Sequence, residues 1–124
     1  MQLSLTQARA VINGAERKAR ELGVPVVITV IDPGCHLKAF CRMDEAALGL
    51  TDLAMGKAKT AALFACNSED IQARCGPDGP FPGLERSNGG LTIFTGGMLL
   101  AAPDGAILGN NLSERGLSLP AWQR

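Results

Sequence analysis

Tyrosine is absent from this chain of 124 residues, Trp122 is the one tryptophan, and aromatic residues make up only 4% of the total. Single-stranded nucleic acid is held by bases stacked on aromatic faces, so that class of partner is not expected. Neither sign of charge is in excess, because 12 basic residues stand against 12 acidic ones. Without a basic field to gather phosphates, nucleic-acid binding in general is not expected either. No apolar run approaches the roughly 20 residues that span a bilayer. The opening segment, MQLSLTQARA, is polar where a secretory signal would be apolar. The expectation is a cytoplasmic protein without membrane contact.

Histidine is as scarce as tryptophan, with His36 alone. The cysteines, Cys35, Cys41, Cys66 and Cys75, form no C-x-x-C pair, so a tetrahedral zinc site lacks its ligand spacing. Free thiols are expected in a reducing compartment. A nucleophilic Cys75 would need His36 as its base, and no serine stands in G-x-S-x-G. Phosphate-binding glycine loops of the G-x-G-x-x-G or G-x-x-x-x-G-K-[ST] kind are missing too.

What is present is enough apolar material, 46% of residues, for one core and one domain over 1–124. Ser4 and Gln7 have capping-box spacing. Leu5, Ala8, Val11, Ile12, Ala15, Ala19 and Leu22 then recur at helical steps up to a stop at Gly23. Val24–Ile31 is apolar on both alternating sets, which predicts a strand covered on both faces. Asp32-Pro33-Gly34 turns the chain into a second strand, Cys35–Arg42. Its alternation places Cys35, Leu37, Ala39 and Cys41 on one face and His36, Lys38, Phe40 and Arg42 on the other.

A second helix is expected from Leu50 or Thr51 to about Ala65, with a stripe of small residues. A short one over Glu69–Arg74 follows, capped by Ser68. Residues 75–90 hold five Gly and three Pro in a long loop. Leu91–Thr95, Met98–Ala102 and Ala106–Gly109 read as short strands, and the tail, Asn110–Arg124, shows no periodicity. The order α-β-β-α-α-β-β-β predicts an antiparallel α+β domain.

Three strings share their order and spacing with one family. ELGVPVVITVIDPGCHLKAFCRMDEA, LTDLAMGKAKTAALF and TGGMLLAAPDGAILG resemble segments of the GlcG/HbpS-like proteins, also found as the C-terminal domain of PduO-type cobalamin adenosyltransferases. The resemblance covers about residues 3–109. It implies a three-layer, profilin-like architecture, an antiparallel five-stranded sheet with helices on its faces, and assembly into homo-oligomers. It also implies haem or a related tetrapyrrole as ligand, with haem degradation proposed for the family. Cys35 departs from the family's G-G-H turn, Leu99 replaces the proline of G-G-x-P, and 110–124 replaces a glycine-rich strand and an acidic helix. An atypical or missing last strand and helix is therefore expected.

His36 is the candidate axial ligand for haem iron, and Lys38, Phe40 and Arg42 offer cations and an aromatic face beside it. Thr60 and Thr95 are oxygen alternatives, and Met43 a thioether one. Asp52 and Lys57 match the family's D-x-x-x-x-K helix, so the resemblance adds them to the ligand-binding set, with Gly96 and Gly97 from its hairpin. Lys57 is otherwise a solvated lysine. Two other classes of function remain open. One is an enzyme or accessory protein for a small carboxylated or hydroxylated metabolite, with Lys57, Arg42 and Asp44 orienting it and His36 moving a proton. The other is a structural subunit that recruits a partner through the tail.

Overall fold

The computed structural model describes residues 3–93, 97–101 and 107–114. Helix α1, Leu5–Leu22, opens on the expected capping box. Ser4 Oγ accepts the Gln7 amide at 3.0 Å, and Gln7 Oε1 accepts the Ser4 amide at 2.9 Å. It closes at Gly23, whose φ of 69° lies in the left-handed region that glycine adopts without a Cβ penalty. Ala8, Ala15 and Ala19 are buried, and Glu16, Arg20, Lys18 and Glu21 pair along the polar side.

Strand β1, Val27–Ile31, is buried at every position, as its doubly apolar pattern predicts. One set of its residues, with Val26, packs Ile28 and Val30 under α1. The other packs Val27 and Ile31 against Ala46, Leu50, Ala54 and Ala58, most of them from helix α2, Gly49–Phe64. Each large apolar side chain enclosed this way contributes about 1.5–3 kcal/mol. Two helices on opposite faces of one sheet make the three layers.

β1 pairs antiparallel with β2, Leu37–Arg42, and the hairpin turn is longer than Asp32-Pro33-Gly34. His36 stands before the strand instead of inside it. The register slips between Val30 and Ile31, so that Val30 faces Ala39 and Ile31 faces Leu37. This bulge at Lys38 breaks the alternation predicted across Cys35–Arg42, which holds only from Ala39 to Arg42. Leu37 therefore stands opposite Ile31 and leaves the face of Ala39.

Helix α3, Ser68–Cys75, has Asn67 at its N-cap, and Ser68 is its first helical residue. The long loop contains a single 3-10 turn, Leu84–Arg86. Leu91–Ile93 are not in a strand, and Phe94 and Thr95, the rest of that expected strand, lie outside the described residues. β3, Gly97–Ala101, and β4, Ile107–Glu114, complete an antiparallel sheet in the order β2-β1-β4-β3.

The four strands described stand against the five expected. β4 corrects the reading of the tail. Asn110–Glu114 continue the strand, with Ile31 opposite Asn110 and Val27 opposite Glu114. Asn-Asn-Leu-Ser-Glu has little intrinsic strand preference, but it lies between β1 and β3, and ladder pairing on both sides overrides propensity. No helix among the described residues is long and apolar enough to cross a membrane.

Candidate functional site

The long loop is pinned by its own chemistry. The Phe81 amide donates to the Arg74 carbonyl at 3.0 Å, Ser87 Oγ donates to the Leu84 carbonyl at 2.7 Å, and the Leu91 amide donates to the Glu85 carbonyl at 2.7 Å. Thr60 then ties the end of the loop to α2. Its hydroxyl donates to the Gly56 carbonyl at 2.8 Å and accepts the Thr92 amide at 2.9 Å. Gly56 makes the approach possible, because a Cβ there would collide with the Thr92 hydroxyl and stand 3.1 Å from Thr92 Cβ.

Between hairpin, helix and loop lies a cleft of about 290 Å³. Ile31 and Cys35 line it from the hairpin, Asp52, Met55, Gly56 and Lys59 from α2, and Gly89, Gly90 and Thr92 from the loop. Asn88, Gly89 and Gly90 all have positive φ, a left-handed run that two glycines accommodate without a Cβ penalty. A second hollow of about 320 Å³, at the C-terminal end of α1, is lined by Arg20 with Met43, Asp44 and Glu45. Arg20 is already engaged there, since its Nε lies 3.0 Å from Glu16 Oε2.

His36 stands at the tip of the hairpin, on the rim. Asp32 Oδ1 accepts the amides of Gly34 and His36, each at 2.9 Å, and lies 3.5 Å from His36 Nδ1. The His36 amide bond holds the Asp32 carboxyl below the usual carboxylate range, against a smaller opposing effect of desolvation. The imidazole itself is 82% exposed. Lys38, Phe40 and Arg42 on β2 are exposed as well. By register Phe40 and Arg42 lie opposite Thr29 and Val27, on the α2 side of the sheet.

Residues 3–110 match the family described as haem degrading protein HbpS-like. The chain belongs to that family. It is 30% identical over 107 residues to an uncharacterized 15.0 kDa protein from the dhaT-dhaS intergenic region of Citrobacter freundii, covering 86% of this chain and 75% of that one. The Klebsiella pneumoniae protein ORFY has a similar crystal structure, with a TM-score of 0.85 and 28% identity over 92% of this chain and 79% of its own. A PduOC–heme complex aligns with a TM-score of 0.84 and 27% identity, over 94% of this chain and 84% of that one.

In this HbpS-like chain the residues singled out by sequence divide into three places. His36, Lys38, Phe40 and Arg42 form an open hairpin and edge strand, and Asp52 lines the cleft. Lys57 is 1% exposed, so the solvated reading of it fails. Desolvation lowers its pKa to about 8. The cation lining the cleft is Lys59, two residues on. Gly97 opens β3 opposite Leu112, whereas Gly96 lies outside the described residues.

Thr60 is buried with its hydroxyl engaged on both sides, which removes it as an axial oxygen. Thr95 lies outside the described residues. The four cysteines are unpaired. Burial pushes the thiols of Cys41, Cys66 and Cys75 up, with Glu16 adding to the first and Glu85 to the last, so thiolate chemistry is disfavoured at all three.

Sequence reasoning passed over Lys59, Met55 and Cys35 as cleft residues. Their signal was the helical step, since Asp52, Met55, Gly56 and Lys59 recur at intervals of three, one and three along one side of α2.

Proposed function

We propose that this HbpS-like chain is a ligand-binding protein that takes haem or a related tetrapyrrole between the hairpin around His36 and the Gly/Pro-rich loop. The observation that carries the reading is the state of His36. It is an imidazole 82% exposed, with Nδ1 3.5 Å from the Asp32 carboxylate. A carboxylate beside the ring is the arrangement that orients a histidine for a metal. Likeness to a PduOC–heme complex supports the same ligand.

The residues present fit the group on an open face. Lys38 and Arg42 offer cations to propionates, Phe40 is 40% exposed on the same strand, and His36 offers the nitrogen. The cleft of about 290 Å³ is too small to enclose a macrocycle, so the ligand would lie across its rim and the β2 edge. A bound haem would supply redox-active iron. The chain's part is to ligate, to orient through Asp32, and to neutralise carboxylates. In this reading the protein is a single-domain, cytoplasmic homo-oligomer.

Titration of haem into the purified protein and its His36→Ala variant, under reducing conditions, tests the proposal. Saturable binding to the wild type with a Soret shift that the variant lacks is expected. No saturable binding to either protein overturns it.

A further inference from the structure

The cleft has an order of chemistry that the tetrapyrrole reading does not use. Along α2 its lining runs from Asp52, through Met55 and Gly56, to Lys59. A carboxylate therefore stands at one end, apolar surface in the middle with Ile31 facing it from β1, and an ammonium at the other end. Seven residues of helix separate the Cα atoms of Asp52 and Lys59 by about 10 Å along the axis, on the same side of α2. Both side chains are exposed, and neither forms an ion pair among the described residues. Uncommitted opposite charges at the two ends of one cleft are complementary to a ligand carrying the opposite pair.

Volume limits the size. About 290 Å³ is the room of roughly ten water molecules at ~30 Å³ each, which admits a small linear metabolite. Thr92 and the loop glycines wall the side opposite the helix.

We propose that this cleft binds a short linear zwitterion of the ω-amino carboxylate class, its ammonium on Asp52, its methylenes along Met55 and Ile31, and its carboxylate on Lys59. The zwitterion is held by Asp52 and Lys59 inside the cleft and a tetrapyrrole by His36 and the β2 edge at its rim, so the two are told apart by which substitutions abolish each. Each charged end contributes a charge-assisted hydrogen bond, and a ligand lacking either end loses that contribution.

Calorimetric titration with 6-aminohexanoate, hexanoate and n-hexylamine tests this. The zwitterion is expected to bind saturably and at least about tenfold more tightly than either single-ended compound. Asp52→Asn and Lys59→Gln should each weaken it by about tenfold, and both variants should fold, because both side chains are exposed; Asp52→Asn loses in addition only the modest support of a carboxylate in the first turn of α2.

Cys35 supplies an independent readout of place, since it lines the cleft and its alkylation by iodoacetamide should slow as the ligand saturates. Absence of saturable binding, equal affinity for hexanoate or n-hexylamine, or indifference to Asp52→Asn and Lys59→Gln overturns the proposal. So does saturation without protection of Cys35.

Discussion

Helices α1 and α2 cover opposite faces of the same buried strand, yet they are built on different terms. α1 separates its residues cleanly, with alanines beneath and ion pairs outside, and both of its ends are closed by backbone-satisfying caps. α2 begins at Leu48 in helical conformation with no side-chain cap. It sinks Lys57 and Thr60 into its buried side. Facing it from β1, Thr29 is fully buried, and its hydroxyl has no partner among the described residues.

A helix that only had to hold the fold would resemble α1, because taking an ammonium and a hydroxyl out of water carries a desolvation cost that their partners must offset. α2 keeps small residues so that the hairpin and the Thr92 segment can come close. That closeness is what makes the cleft.

The largest test of this contrast is one substitution made twice. Ala54 is wholly buried between α2 and the strand residues Val27 and Ile31, whereas Ala10 of α1 is exposed. Ala54→Leu should destabilise by about 1–3 kcal/mol through overpacking. Ala10→Leu should stay within about 0.5 kcal/mol. Urea unfolding followed by circular dichroism measures both, and equal effects would mean that α2 is not closely packed.

A gentler version uses the two helical glycines. Gly14 has nothing within 4 Å of an added Cβ, so Gly14→Ala in α1 should stabilise by about 0.5–1 kcal/mol. Gly56→Ala gains the same propensity but drives a methyl into Thr92, and a net loss of about 1 kcal/mol is expected. Cys35 alkylation should also accelerate in Gly56→Ala, because the Thr60–Thr92 tie that walls the cleft is displaced. An increase in stability there would show that Thr92 yields without cost.

Much of this architecture could be read from the sequence because local signals and tertiary packing agree. The Ser4–Gln7 box, the Gly23 stop, the doubly apolar β1 and the Asp32-Pro33-Gly34 turn are each short-range devices. The bulge at Lys38 could not be read, since a one-residue slip leaves the composition of a strand unchanged. Nor could the extension of β4 through Asn110–Glu114, which depends on partners far away in the chain.

At the site, Asp52 was legible and Lys59 was not. Two residues on a helix differ by about 200° of rotation, so only one of Lys57 and Lys59 can face the cleft. Lys57 falls seven residues after Leu50, three after Ala54 and four before Ala61, inside the buried stripe. The alanine-rich stripe has too little contrast for that position to stand out before the sheet is placed.

Lys57 gives the smallest and most specific test of the difference between the helices. Its folded pKa of about 8 lies below the ordinary value of 10.5, because burial disfavours the ammonium. Below about 8 the folded and unfolded chains are both protonated at this lysine, and the burial penalty is present in full. Between about 8 and 10.5 the folded chain has released its proton while the unfolded chain retains it, so stability rises with pH.

From pH 7.5 to 8.5 the gain should be on the order of 0.5–1 kcal/mol. Lys57→Met should remove that slope, whereas Lys18→Met on the surface of α1 should not, since Lys18 pairs with Glu21 in solvent. Unfolding free energies of the two variants and the wild type across this range measure the effect. A wild-type slope that survives in Lys57→Met would place the titrating group elsewhere, and the buried lysine of α2 would then be no costlier than an exposed one of α1.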